Sequence, residues 1–241
     1  MLFRSKYQVR ELTKTPPDDT SQTVVTSFEK GVFIINEGNY NWGNASFTFF
    51  DQKTNKVVHD VFNLVNQRTL GDVAESMSIA GNNGYLMINN SNRIEVVAAE
   101  NFKSVATING LHSPRFMTMA GPGKAYVTNL QSNISIIDLN NHTVTGTIKT
   151  SSWTENMISY QHYVLVTSIG SFSEPSSGRK AQLFLIDTRT DRIIDSIQTG
   201  KEPIGMVIDK KDKVWVLCSG GYDSFESPSL MRINPELRMV E

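Results

Sequence analysis

One repeated pattern constrains the fold of this chain more than any other feature of its sequence. At four places an apolar strand ends in Asp or Asn, a short turn follows, and a second β-rich stretch begins. These turns start at Asp51, Asp138, Asp187 and Asn234, and a degenerate copy has Ala98 in the same place. Successive copies are therefore 47, 40, 49 and 47 residues apart. Strand–turn–strand units at this period are typical of β-propeller blades.

A second set of apolar runs repeats at the same period and supplies another strand of each blade. The runs are short, rich in β-branched and aromatic residues, and bounded by Gly, Asn or Ser, as expected for strands buried on both faces. They cover residues 32–36, 85–89, 125–129, 163–167 and 214–218. Each blade then has four strands, here called a to d from the axis outward, and the runs are strand b. Apolar residues show no sustained helical spacing, so few helices are expected.

We therefore predict an all-β fold, a β-propeller of four-stranded antiparallel blades occupying residues 23–241, with about four and a half blades present. Residues 1–22 are polar and include Pro16 and Pro17, which predicts a disordered leader or linker. The fifth repeat is expected to be cut short at residue 241. Either the stretch at residues 23–28 completes the fifth blade, or the ring lacks blades.

Composition narrows the classes of function. A net charge of −1 with 39% apolar and 20% charged residues suits one globular domain with a sizeable core. The absence of a basic stripe argues against a nucleic-acid partner. The single cysteine, Cys218, excludes an internal disulfide and is predicted to pack in the core.

Enzyme chemistry has little support in the sequence. The chain has no Gly-x-Ser-x-Gly, His-Glu-x-x-His or Cys-x-x-Cys motif, and its four histidines are scattered. Glu37, Asp72, Glu75 and Glu155 are conceivable ligands of a propeller metal site, but acids near loops are common. We therefore predict a chain that is not an enzyme, with no catalytic residues, no cofactor and no metal.

Several short stretches are distinctive in their order and spacing: residues 31–39, 43–46, 70–77, 113–115, 125–128, 220–222 and 227–230. Together they resemble the YncE-like β-propellers of gut Bacteroidetes. The resemblance implies a surface-exposed lipoprotein of the outer membrane whose ring has about seven blades. One branch of that family binds cobalamin and sits on the outer-membrane transporter that imports it. By this resemblance the partners are a small-molecule nutrient, with cobalamin first, and such a transporter; the lipoprotein signal is missing from residues 1–22.

The predicted binding site follows from strand direction. In an antiparallel blade the b–c and d–a connections emerge on one face, and here these connections are the long, irregular ones. Long loops on a rigid scaffold commonly carry binding, and aromatic side chains supply stiff contact area. The predicted ligand-binding residues are Asn39, Tyr40, Trp42, Arg68, His112, Arg115, Trp153, Phe172, Tyr222 and Phe225.

Other interpretations of these residues stay open from the sequence. The two arginines can simply pair with Asp72 or Glu75, and the aromatic side chains can fold back onto their own loops. Three functions are therefore compared: a surface protein that binds a nutrient such as cobalamin, a protein-interaction or glycan-associated scaffold, and a metal-dependent hydrolase or lactonase.

Overall fold

The computed structural model describes residues 28, 30–170, 181–221 and 226–241, which form five antiparallel sheets. Sheet one has three strands, β1 (Gly31–Asn36), β2 (Ser46–Asp51) and β3 (Lys56–Val58). Sheet two contains β4 (Ala74–Ala80), β5 (Asn83–Ile88), β6 (Arg93–Ala98) and β7 (Ser104–Ile108). Sheet three contains β8 (Pro114–Gly121), β9 (Lys124–Asn129), β10 (Asn133–Asp138) and β11 (Thr143–Lys149). Sheet four contains β12 (Thr154–Tyr160), β13 (Tyr163–Ser168), β14 (Gln182–Asp187) and β15 (Arg192–Gln198). Sheet five contains β16 (Pro203–Ile208), β17 (Val214–Cys218), β18 (Ser229–Asn234) and β19 (Met239–Val240).

Neighbouring sheets pack through their first strands, as the blades of a propeller do. β4 packs on β8, β8 on β12, and β12 on β16, so these are the inner strands a. Serine hydroxyls join them, because Ser78 Oγ donates to the Met117 carbonyl at 2.9 Å and Ser159 Oγ donates to the Met119 carbonyl at 2.7 Å. The predicted all-β propeller of four-stranded antiparallel blades is thereby confirmed.

The hydrophobic core lies between the sheets, in one cluster for each junction. The cluster between sheets one and two is the most aromatic, and Phe47, Phe49 and Phe102 are completely buried within it. Phe102 stacks on Phe33 with ring centroids 4.8 Å apart. Cys218 is likewise buried, in the cluster between sheets four and five, as its predicted packing role requires.

A short turn follows strand c in every sheet. Where it begins with Asp51, Asp138, Asp187 or Asn234, that residue closes the turn through a side-chain oxygen, as when Asp51 Oδ1 accepts the Lys53 backbone N–H at 2.8 Å. The side-chain hydrogen bond from Thr54, together with backbone N–H groups, lowers the pKa of Asp51. The last residue of each turn has a positive φ, between 53° and 60°, at Asn55, Phe102, His142, Asp191 and Arg238.

Three of these last turn residues reach an aromatic side chain in strand b of the preceding sheet. Phe102 stacks on Phe33, and the His142 ring lies 6.0 Å from the Tyr85 ring. In the next junction Tyr126 donates its hydroxyl hydrogen bond to the Asp191 carboxylate. The turns therefore seal the junctions between sheets as well as linking strands c and d.

The outer strand of the first blade departs from the regular repeat. β3 stops at Val58, and a six-residue helix, α1 (Val61–Asn66), follows. The left-handed backbone of Asp60, with φ 46°, ends the extended run. Val61 and Phe62 are then completely buried in the cluster between sheets one and two, which stabilises the helical turn in place of a longer edge strand.

The predicted leader, residues 1–22, lies outside the described residues. So do residues 23–27, which belong to the stretch considered as completing the fifth blade. Phe28, the described residue of that stretch, donates its backbone N–H to the Glu100 carbonyl of sheet two at 3.1 Å. The fourth strand of sheet five is β19, and no described strand pairs sheet one with sheet five. Within the described part of the chain, no helix is long and apolar enough to cross a bilayer.

Candidate functional site

The long connections gather on one face of the propeller, as strand direction predicts. They include the b–c loop of sheet one, residues 37–45, and the d–a segment at residues 59–73, whereas the b–c connections of sheets two and three, residues 89–92 and 130–132, are short. The opposite face carries the compact turns between strands a and b and between strands c and d. We call the first side the long-connection face.

A single carboxylate organises the b–c loop of sheet one, residues 37–45, which we call the aromatic loop. Asp72 accepts the backbone N–H of Asn41 at 2.8 Å and that of Gly43 at 3.4 Å, and its Oδ2 also accepts the side-chain amide of Asn90. The Asn90 hydrogen bond and then the backbone N–H groups lower the pKa of Asp72. Because these donors engage both carboxylate oxygens, Asp72 holds the loop backbone in place.

Backbone hydrogen bonds hold both ends of the aromatic loop. The Ala74 N–H donates to the Glu37 carbonyl at 3.1 Å, and the Ala45 N–H donates to the Gly71 carbonyl at 3.2 Å. Held in this way, the loop leaves Trp42 74% exposed and Tyr40 68% exposed. Neither ring contacts another ring among the described residues, so neither folds back as a plug for its own loop.

Beside this loop, three charged residues occupy the same position in three consecutive inner strands. Glu75, Arg115 and Glu155 each lie just after the first residue of β4, β8 and β12, where the register of the strand shifts. Such bulges redirect side chains. Arg115 forms an ion pair with Glu75 and donates to both carboxylate oxygens of Glu155, at 2.5 Å from Nη2 and at 3.0 and 3.2 Å from Nε.

Burial makes Glu75 a group that titrates near neutrality. Its pKa is raised to about 7, chiefly by desolvation, which outweighs the attraction of Arg115, and the charges of Glu155 and Glu37 raise it further. Glu37 is the first residue of the aromatic loop. Its repulsion of Glu75 therefore couples the charges of the inner strands to that loop.

Glu75 should make stability depend on pH. Its pKa is 4.5 in a model peptide and about 7 in the fold, so the native state binds the extra proton between these values. The contribution of Glu75 to stability is therefore present below pH 4.5 and is lost as pH rises through about 7.

Glu75→Gln removes this titration, so its Tm relative to wild type should rise between about pH 5 and about pH 8. Differential scanning fluorimetry across this range measures the effect, with the exposed Glu100→Gln as control; a constant difference for Glu75→Gln would contradict it.

Arg68 does not join the charged residues around Arg115. Its guanidinium lies 2.5 Å from the carboxylate of Glu95, which is completely buried, and 4.8 Å from the centre of the Phe62 ring. The pairing of Arg68 with Asp72 or Glu75 considered from sequence is therefore wrong, whereas the pairing of Arg115 with Glu75 is confirmed.

Three more of the predicted binding residues are described. Asn39 and His112 are exposed, and Trp153 is half-buried next to the start of β12. Phe172, Tyr222 and Phe225 lie outside the described residues. Sequence analysis missed Asp72 as the organiser of the aromatic loop, although its position in the connection leading to β4 was a usable signal. Among the described residues no group of His, Cys, Asp and Glu side chains is arranged to hold a metal ion.

Comparisons with known proteins agree with this architecture. Residues 30–240 match a family profile described as "Domain of unknown function (DUF5074)". A search of curated protein sequences gave no match.

Solved structures share the fold at low sequence identity. Hydrazine synthase of Kuenenia stuttgartiensis has a TM-score of 0.65 and 15% identity, covering 92% of this chain and 66% of that one. Dihydro-heme d1 dehydrogenase NirN in complex with DHE has a TM-score of 0.61 and 13% identity, covering 82% and 43%. A quinonprotein alcohol dehydrogenase-like protein from Bacteroides thetaiotaomicron has a TM-score of 0.62 and 18% identity, covering 89% and 51%.

At such identities these likenesses show the fold alone, which is propeller-like in all three. The chain spans between 43% and 66% of the length of these structures. The family profile, in contrast, covers most of the chain, from residue 30 to residue 240. The chain therefore belongs to the DUF5074 family and is built on a β-propeller scaffold.

Proposed function

We propose that this protein is a non-enzymatic binding propeller that holds a small-molecule nutrient on its long-connection face. The observation that carries the proposal is the aromatic loop, which Asp72 fixes while Trp42 and Tyr40 stay exposed. A loop that is already ordered loses little conformational freedom on binding, so its exposed rings can supply net affinity.

Cobalamin is the first ligand to test. The sequence stretches that resemble YncE-like propellers, residues 31–39 and 70–77, are those that build the aromatic loop and its support. A corrinoid has a broad apolar face and an amide-bearing edge, which suits exposed rings beside polar side chains. The proposal includes a full-length protein anchored as a lipoprotein at the cell surface, which passes its ligand to an outer-membrane transporter.

A protein-interaction or glycan-associated scaffold is the second function in view. The same exposed pair of rings favours it, because aromatic side chains at the surface are common anchors for partners of both kinds. A protein of this second class would bind no corrinoid.

Calorimetry tests the first proposal. Trp42→Ala should weaken cobalamin binding by about 1–3 kcal/mol, the usual loss for a contacting aromatic anchor. The matched control is Leu237→Ala, since Leu237 is 66% exposed on a turn of the opposite face. His142 and Asn141 are poorer controls because the first contacts Tyr85 and the second bonds Asp138.

Each outcome of that experiment bears on the proposal. Absence of heat with the wild-type protein would remove cobalamin as the ligand. Equal losses for Trp42→Ala and Leu237→Ala would remove the long-connection face as the site.

A further inference from the structure

The aromatic loop carries side-chain hydrogen-bond donors that no described residue accepts. Asn44 Oδ1 accepts the Asn39 backbone N–H at 2.8 Å, and Asn41 Oδ1 accepts the Asn90 side-chain amide at 3.0 Å. Both oxygens are thus engaged, whereas the side-chain N–H groups of Asn39, Asn41 and Asn44 donate to no acceptor among the described residues. All three asparagines are exposed.

Charge around the loop disfavours an anionic ligand. Glu37 is the one charged residue within residues 37–45, and Asp72 lies beneath the loop. The neighbouring cation, Arg115, is held between Glu75 and Glu155. A phosphate or carboxylate placed against Trp42 would therefore approach carboxylates and find no unengaged guanidinium among these residues.

We infer that the aromatic loop binds an uncharged sugar ring, a pyranose residue of a neutral oligosaccharide, stacked on Trp42 or Tyr40. A pyranose presents an apolar C–H face to an aromatic ring, while its hydroxyl oxygens accept hydrogen bonds from side-chain amides. Within the aromatic loop the exposed rings alternate with side-chain amides that donate to no described acceptor. The loop therefore offers both the apolar stacking contact and the hydrogen bonds. The inference rests on the proposed function for the choice of face, and it names a ligand class different from a corrinoid.

The order of the aromatic loop before binding is a physical reason to expect sugar binding there. An isolated sugar–ring stack is weak, so it contributes affinity mainly where the ring and the donors are held in place before binding. Asp72 and the backbone bonds to Gly71 and Ala74 provide this order without using the outward-facing side chains.

The test uses the intact chain and named probes. Neutral hexasaccharides of glucose, xylose, mannose and galactose are titrated by calorimetry and by tryptophan fluorescence, with hexagalacturonate as the charged counterpart. At least one neutral probe should bind at millimolar concentration or below, more tightly than hexagalacturonate. Trp42→Ala or Tyr40→Ala should weaken that binding by about tenfold or more.

Matched variants separate stacking from hydrogen bonding. Trp42→Phe keeps a ring and should retain most of the affinity that Trp42→Ala loses. Asn44→Asp removes two N–H donors and adds a negative charge, so it should weaken binding, whereas Leu237→Ala on the opposite face should not. The altered side chains are exposed, and circular dichroism of each variant verifies that the fold is kept.

The outcomes distinguish this inference from the proposed function. If no neutral hexasaccharide binds but cobalamin does, with loss in Trp42→Ala, the sugar inference is overturned and the proposed function stands. Saccharide binding that survives both Trp42→Ala and Tyr40→Ala also overturns it. If neither cobalamin nor any saccharide binds, both proposals fail.

Discussion

Replacing Arg115 by methionine is expected to lower the free energy of unfolding by about 3–5 kcal/mol near pH 8, the range for removing one partner of a buried ion pair. Arg115 lies between Glu75 and Glu155, whose side chains are only 13% and 10% exposed. Without the guanidinium, two partly desolvated carboxylates face each other across the inner strands. Methionine keeps most of the apolar stem, so the loss reports on charge and hydrogen bonding. Urea unfolding followed by circular dichroism measures it.

The control for this prediction removes all three charges. The variant with Arg115→Met, Glu75→Gln and Glu155→Gln should recover most of the lost stability, because no buried charge is left unpaired. Lowering the pH should also rescue Arg115→Met, since the carboxylates then take up protons. Wild-type stability of Arg115→Met at pH 8 would show that the ion-pair geometry described above is wrong.

Phe102→Ala is expected to lower the free energy of unfolding by about 3–5 kcal/mol, as large-to-small changes of a buried phenylalanine do. Phe102 is completely buried, stacks on Phe33 and also packs against Phe28 and Phe47. Alanine would keep the strained positive φ of 60° and leave a cavity between sheets one and two. Urea unfolding again measures the change.

Arg238→Ala is the matched control for Phe102→Ala. Arg238 occupies the same turn position in sheet five with φ 55°, but its side chain is exposed and its one ion pair with a described residue is to Asp195, at 3.5 Å. Its replacement should change stability by less than about 0.5 kcal/mol. Similar losses for the two variants would mean that the turn backbone, and not the buried ring, determines the energy.

Much of the fold could be predicted because short stretches of sequence are enough to show the repeat. Strand runs and turns starting at Asp51, Asp138 and Asp187 recur at blade spacing, and strand direction then fixes which loops share a face. Helix α1 escaped prediction because it is only six residues long and is stabilised by burying Val61 and Phe62, a tertiary effect without a periodic signal. The strand register also shifts within the inner strands, which apolar patterning does not reveal.

The candidate site could be predicted in its location but not in its contacts. The long loop with Tyr40 and Trp42 was visible as a departure from the repeat. The partner of Arg68 was not, because Glu95 is 27 residues away in the middle of a strand where an apolar residue is expected. Trp215 lies in one of the apolar strand b runs, yet it is half-buried and its indole N–H donates to Asp209 at 2.8 Å. Such polar pairings depend on three-dimensional proximity.

The turn that seals three of the junctions has a consequence for how repeats of this kind can be exchanged. Phe102 contacts Phe33, His142 contacts Tyr85, and Asp191 contacts Tyr126, so each of these three seams is encoded half in one repeat and half in the next. A single repeat moved to another place in the chain would carry two halves that fit neither neighbour. The unit that can be recombined, duplicated or grafted intact is therefore the seam, running from strand b of one repeat to the c–d turn of its successor.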